Sequence, residues 1–281
     1  MMRKHLPAFF MVTLLVVSGC GNGTGNLQFT TWGEEYIEQQ IPATAFEDGW
    51  QVKFTTFLVN IGNIQVADAD GNTGASMNGT VVVNHVFQGE KPVFSVQEIE
   101  AKPWTDVSFE VPVATPEAKL GDGVIEWDRD FLVEKNASLY VTGEATKGEV
   151  TKKFAWTFSK GTRYTECSGD RDGKVTQGAL ITNGGTDAIE LTIHGDHLFY
   201  DDLQSPNALL RFNPIAAADA DNDGQITLDE LANVPLVEIE DGPYGTGSAA
   251  DINDLGAFVT ALSGTVGHFR GEGECFGEHI Q

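Results

Sequence analysis

Short stretches of alternating apolar and polar residues, separated by glycine-bearing turns, do most to narrow the fold of this 281-residue chain. In the segment 50–66, Val52 and Phe54 alternate, and Val59 and Ile61 resume the alternation out of step. That change of phase predicts a β-bulge at Thr55-Thr56. A β-branched run over 80–87 and alternating runs over 93–99 and 107–113 predict further strands. Residues 138–145 and 150–159 are joined by Thr146-Lys147-Gly148-Glu149, which reads as a hairpin, and 189–193 adds another strand. Many short strands without intervening helices predict a mainly β fold, an antiparallel β-sandwich or open barrel, over 29–193. After His194 the period changes. Leu209, Leu210, Phe212 and Ile215 predict a helix over 205–218, with Pro214 as its alternative start. Ile252, Leu255, Val259 and Leu262 share one face of a helix over 251–266. A small helical part packed on the β body is therefore expected over 194–281.

Between those helices lies D-A-D-N-D-G-Q-I-T-L-D-E, residues 219–230. It fits the twelve-residue calcium loop of an EF-hand. Asp219, Asp221 and Asp223 supply side-chain oxygens at the first, third and fifth positions, and Gly224 allows the sharp turn at the sixth. Gln225 offers its carbonyl, Thr227 a bridging water, and Glu230 a bidentate carboxylate. Bound Ca²⁺ is the expectation, through a single loop. The D-x-D segments beginning at Asp68 and Asp170 lack a closing glutamate and read as Asx-rich turns. A lone loop is expected to bind weakly, with a Kd of about 10⁻⁴–10⁻³ M, as a structural ion.

The amino terminus sets the compartment. Arg3 and Lys4 precede an apolar run over 8–17 that is too short to span a bilayer, followed by Val17-Ser18-Gly19-Cys20. This resembles the lipobox of bacterial lipoproteins. The resemblance implies a signal peptide over 1–19, diacylglycerol on Cys20, a flexible tether over 20–28, and a lipid bilayer as partner. The expected location is the cell envelope, at the outer membrane, on its periplasmic or surface face. The chain has three cysteines. With Cys20 lipidated, Cys167 and Cys275 remain as a pair in an oxidising compartment, and a disulfide between them is expected. The alternative, two metal ligands, has no C-x-x-C or C-x-H spacing behind it. Acidic residues outnumber basic ones by 41 to 17, a formal charge of −24, which disfavours nucleic acid and anionic lipid as partners and favours cations. No residue pattern identifies a protein partner.

A second metal site is drawn from His194-Gly195-Asp196-His197, two imidazoles three positions apart. His85 is a third candidate ligand and His268, in Gly267-His268-Phe269-Arg270-Gly271, a fourth. The alternative is structural: His194 ends a strand and Asp196 caps a helix starting at His197. There is no G-x-S-x-G, H-E-x-x-H, P-loop or dinucleotide fingerprint, so a binding role rather than an enzyme is expected. A cell-surface hydrolase is a further alternative that would need a cleft with converging acids.

The segment Trp50-Gln51-Val52-Lys53-Phe54-Thr55-Thr56-Phe57-Leu58-Val59-Asn60-Ile61-Gly62-Asn63-Ile64 resembles the early strands of the MbnP-like family, and Ile193-His194-Gly195-Asp196-His197-Leu198-Phe199 fits it loosely. The closing G-H-F-R-G-E-G-E-C and the inserted EF loop are also similar to myxobacterial-type periplasmic lipoproteins. The family resemblance implies a copper centre of two histidines beside an oxidised tryptophan. No H-x-W occurs here, since His85 is followed by Val86-Phe87. The resemblance therefore implies copper at His85 and His194 first, with His197 third.

Overall fold

The computed structural model describes residues 23–280. The signal segment, Cys20 and the first part of the tether lie outside the described residues. Strands dominate, as the alternating patterns require. The main sheet is curled and open. Its order is Lys174–Gln177, Gly161–Arg171, Asp106–Val111, Gln51–Ala67, Leu139–Lys147, Val150–Phe158 and Gln225–Ile226. The smaller sheet runs Gly267–Phe269, Thr186–Ile193, Thr24–Trp32, Lys91–Glu100. Their inward faces share one apolar cluster, with Leu27, Phe29, Ile189 and Leu191 from the small sheet and Val59, Phe109 and Trp156 from the large one.

The strand Gln51–Ala67 shows how local sequence sets this arrangement. Its pairing with Leu139–Lys147 shifts register between Phe54 and Thr56, which places the expected bulge at Thr55. The bulge changes which face the following residues bury. Phe57 and Val59 enter the main core, while Leu58 turns to a second cluster with Val82, Ala118 and Leu132 beneath the helix Glu126–Glu134. Both faces of this stretch are covered, which is why Phe57-Leu58-Val59 is apolar without a break. The expected hairpin is present. Lys147 pairs with Val150, leaving Gly148 and Glu149 as a two-residue turn, with Gly148 at φ +60°.

Two regions differ from the sequence expectation. Thr24–Trp32 is a strand, paired in parallel with Thr186–Ile193 and antiparallel with Lys91–Glu100. Of the tether expected over 20–28, the part from Thr24 onward is thus in the sheet. Partners on both sides supply the hydrogen bonds that a glycine-rich segment would otherwise take from water. The region 194–281 is also less helical than its spacing implied. Its helices are Asn213–Ala217, Leu228–Leu231 and Leu255–Leu262, with 3₁₀ turns at Asp196–Phe199 and Leu236–Glu238. The entering helix does begin beside Pro214, whose missing N–H costs nothing in a first turn. Beyond Leu262 the chain returns to strand. Gly267–Phe269 pairs with Thr186–Ile193, and Glu274–Ile280 pairs with Gly161–Arg171. The Cys167–Cys275 disulfide joins the last of these strands to its neighbour.

Candidate metal centre

The end of the small sheet builds a cluster of three imidazoles. Thr192 lies opposite His268 in the antiparallel pairing, and the His194 amide donates to the Val266 carbonyl at 2.8 Å. Two residues distant in sequence are thereby set side by side. The chain then turns at Gly195, where an added Cβ would stand 2.6 Å from Ile37 Cγ1 and 2.9 Å from Phe54 Cε2. Only glycine lets this turn sit so close to the core. The turn Asp196–Phe199 that follows carries His197 back over the same spot. Ring centroids are 4.1 Å apart for His194 and His268, 4.8 Å for His197 and His268, and 5.3 Å for His194 and His197. One ligating atom from each of the three lies within 4.8 Å of the other two.

Hydrogen bonds fix which nitrogen of each ring is bare. The Thr265 hydroxyl donates to the Leu262 carbonyl at 2.9 Å, so its oxygen accepts from His197 Nδ1–H at 3.0 Å. This leaves Nε2 of His197 with its lone pair. His194 hydrogen-bonds the Gly271 backbone, and its buried Nε2 has no partner. His268 hydrogen-bonds the Gly273 backbone, and its buried Nδ1 has no partner. Each imidazole is held through one nitrogen while the other stays open, the arrangement by which outer groups orient a metal-ligating histidine. Burial favours the neutral, ligating form. It pushes His194 down to about 4, and His268 to about 4 with the neighbouring His194 adding to the effect. His197 is held well below the usual imidazole range by burial and by the two other rings.

The segment Phe269–Gly273 supplies both backbone acceptors. Its Arg270 guanidinium is anchored on Asp187 Oδ2 at 2.8 Å and on the Ala188 carbonyl at 3.0 Å, and the Gly271 amide donates to Thr192 Oγ1 at 3.0 Å. Acids ring the cluster. Glu34 Oε1 lies 3.3 Å from His194 Nε2, and Glu34, His194 and Glu272 form a second close group. Burial first, then the charges of Glu272, Asp196 and Glu190, push the Glu34 carboxyl up to about 8. Asp196 is buried, accepts from the Tyr200 hydroxyl at 3.2 Å, and has its other oxygen unpartnered. His197 and His268 open onto a cleft of about 560 Å³ that Tyr164, Tyr200, Glu272 and Glu274 also line.

His85 is not in either close group, which corrects its pairing with His194. It is fully buried, and its Nε2 lies 2.9 Å from Thr31 Oγ1. That hydroxyl already donates to the Leu191 carbonyl at 2.7 Å, so Nε2 of His85 carries the proton and is spent on a structural bond. Burial, with the nearby Lys91 charge, pushes the ring down to about 3.

The acidic loop stands apart from the imidazoles, against the edge of the main sheet. Gln225–Ile226 pairs in parallel with Lys153–Phe154, and Trp156 Nε1 donates to the Ile226 carbonyl at 2.9 Å. Gly224 turns at φ +83°. Carboxylate oxygens of Asp219, Asp221 and Glu230 lie within 4.8 Å of one another. Asp223 is not in that group; its Oδ1 accepts from the Gln225 amide at 2.6 Å. Glu230 caps the Leu228–Leu231 helix by accepting from the Thr227 amide at 2.8 Å. The buried Asp219 carboxylate accepts from Lys152 Nζ and from the Gly224 amide, while its Oδ1 has no partner.

No protein-family profile matches the chain, and no curated protein matches it in sequence. Among solved structures, MbnP from Methylosinus trichosporium is similar, at 11% sequence identity and a TM-score of 0.30, over 68% of this chain and 87% of that one. The chemistry of the imidazole cluster therefore rests on its own atoms. Of the residues singled out by sequence, His194, His197 and His268 come together and His85 does not. Glu34 and Glu272 were not anticipated. The signal for Glu272 lay in its place just after His268; for Glu34, ahead of a short helix, the text carries none.

Proposed function

We propose that this chain is a metal-binding protein of the cell envelope that holds one divalent transition-metal ion at His194, His197 and His268. The observation that supports this reading is the set of three buried, neutral imidazoles, each tethered through one nitrogen and open at the other. Imidazole nitrogen suits zinc, copper, iron and nickel, so the copper expected from the family resemblance falls within the ions this donor set accepts. The ion would supply an electrostatic partner for the surrounding carboxylates. Binding rather than catalysis is the role assigned to it. Titrating Zn²⁺, Cu²⁺ and Co²⁺ into metal-stripped protein is expected to give one equivalent bound in the presence of excess calcium. Absence of binding by all three ions overturns the reading.

A second site is favoured by a different observation, the unpartnered Asp219 Oδ1 inside a loop of EF spacing. Here Ca²⁺ would replace the Lys152 ammonium and draw Asp219, Asp221, Asp223, the Gln225 carbonyl and Glu230 together. Its role is structural, holding the helices Asn213–Ala217 and Leu228–Leu231 against the sheet edge. At a tenfold excess of calcium over Kd the gain is about 1.4 kcal/mol. EDTA is expected to lower the melting temperature by a few degrees, and Glu230→Gln to remove the calcium-dependent part of that shift. Identical melting curves with and without calcium argue against it.

The anchor belongs to the same proposal. Cys20 is read as the lipidated first residue of the mature chain, placing the metal site outside the cytoplasm. Cys20→Ser is expected to move the protein from the membrane fraction to the soluble envelope fraction. Wild-type protein found soluble, with an unmodified Cys20 by mass spectrometry, removes the anchor from the reading.

A further inference from the structure

Glu34 sits in a conformation that glutamate rarely adopts. Its φ is +54°, in the left-handed region, directly after Gly33 and at the start of the helix Glu34–Glu38. An added Cβ at Gly33 would lie 2.7 Å from His85 Cβ, so the backbone enters this turn pressed against its neighbour. The left-handed turn places the half-buried carboxylate against His194. Strained backbone of this kind persists where the surroundings impose it and recurs at ligand-binding positions.

The contact it makes is unusual. Glu34 Oε1 and His194 Nε2 face each other at 3.3 Å, yet Nε2 has no hydrogen-bond partner. With the other ring nitrogen committed to Gly271, His194 Nε2 presents a lone pair, and Glu34 Oε1 presents another once the carboxyl, which burial pushes up to about 8, has lost its proton. Two lone pairs facing each other repel unless a proton or a metal cation joins them, and a metal takes the place of the carboxyl proton. In a tetrahedral ion with bonds of about 2.0–2.1 Å, neighbouring donor atoms stand about 3.3–3.4 Å apart. The separation of Glu34 Oε1 from His194 Nε2 matches that edge, while Glu34 stands outside the close group of the three histidines and would swing in about its side chain to reach the same ion.

We propose that Glu34 is the fourth protein ligand of the metal held by the three histidines, so that the site is a three-imidazole, one-carboxylate set. The inference rests on the three-histidine reading and extends it. One helix start, one strand end, one 3₁₀ turn and one returning strand each contribute a donor. A hard carboxylate oxygen among the imidazoles assigns the ligand to divalent ions such as Zn²⁺, Co²⁺ or Cu²⁺ in preference to Cu⁺, which favours soft thiolate and thioether donors. Glu272, in the same close group as Glu34 and His194, is the more exposed of the two carboxylates.

The test uses the full mature chain and Co²⁺, whose visible spectrum reports its coordination. Glu34→Gln keeps the size and hydrogen-bonding reach of the side chain and removes the anionic donor. It is expected to weaken Co²⁺ binding at least tenfold and to shift the visible bands. Glu149→Gln, in the hairpin turn outside both close groups, is the control and is expected to leave Co²⁺ affinity unchanged. Glu34→Gly separates ligation from folding, because glycine accepts a positive φ freely. Its melting temperature without metal is expected to equal or exceed that of wild type while Co²⁺ affinity falls as in Glu34→Gln. Wild-type affinity and spectrum in both Glu34 variants overturn the fourth ligand and leave the three-histidine site standing. No Co²⁺ binding by the wild type overturns both.

Discussion

His268→Ala is expected to lower transition-metal affinity by more than about 100-fold, beyond the 10–100-fold typical of losing an outer-shell partner. The reason is geometric. His194 and His197 lie on one continuous segment, whereas His268 comes from a strand hydrogen-bonded beside it, so its ring closes the third side of the cluster. Without it, two imidazoles remain, facing a cleft of about 560 Å³ that water can enter. The same variant should lose metal-induced stabilisation. A ligand at one hundred times its Kd adds about 2.7 kcal/mol, or roughly 5–10 °C in a chain of this size. Calorimetric titration and thermal melts with and without Zn²⁺ measure both effects. His85→Gln is the matched control, because the His85 nitrogen bonded to Thr31 Oγ1 is already committed. It should perturb folding stability and leave metal stoichiometry at one. Loss of metal in His85→Gln with retention in His268→Ala would falsify the assignment of ligands.

Reducing the Cys167–Cys275 bond is expected to have the largest effect on stability. The bond joins residues 108 positions apart. On the chain-entropy account a loop of that size contributes about 4.7 kcal/mol by restricting the unfolded chain. In a chain of this size that corresponds to a fall of about 10–20 °C in melting temperature. The effect should reach the metal centre as well. Cys275 lies in the strand Glu274–Ile280, immediately beyond the segment that contributes His268, Glu272 and the Gly271 and Gly273 backbone acceptors. The double variant Cys167→Ser/Cys275→Ser, melted beside the wild type under non-reducing conditions, provides the measurement. A difference of less than a few degrees would show that the sheet pairing between Gly161–Arg171 and Glu274–Ile280 holds this end of the chain without help.

Much of the fold was legible because its causes are local. The phase change around Thr55 announced a bulge, and Gly148 announced a hairpin turn. The EF spacing announced a loop turning at Gly224, although Asp223 stands outside its carboxylate group and the ion remains a proposal. The cysteine count announced the bridge. What was missed depends on partners distant in sequence. Thr24–Trp32 begins Thr-Gly-Asn, which read as a tether, yet parallel pairing with Thr186–Ile193 makes it an internal strand. Gly267–Phe269 has three residues, too few to show a period, so its strand state comes from the neighbour it meets. His268 ranked last among the candidate ligands for the same reason, since only its register opposite Thr192 brings it to His194. His85 misled because a histidine beside a β-branched run gives no sign of whether its ring faces a ligand or a threonine hydroxyl.

The parallel pairing of Thr24–Trp32 with Thr186–Ile193 also governs the timing of assembly. A nascent polypeptide emerges amino end first, and this strand must wait for some 160 further residues before its parallel partner exists. His268 arrives later still. During synthesis and any transfer across a membrane the four proposed donors therefore stay scattered along an incomplete chain. The proposed metal pocket can come into being only after the chain has been made as far as His268, so the ion it first encounters is one abundant where folding finishes.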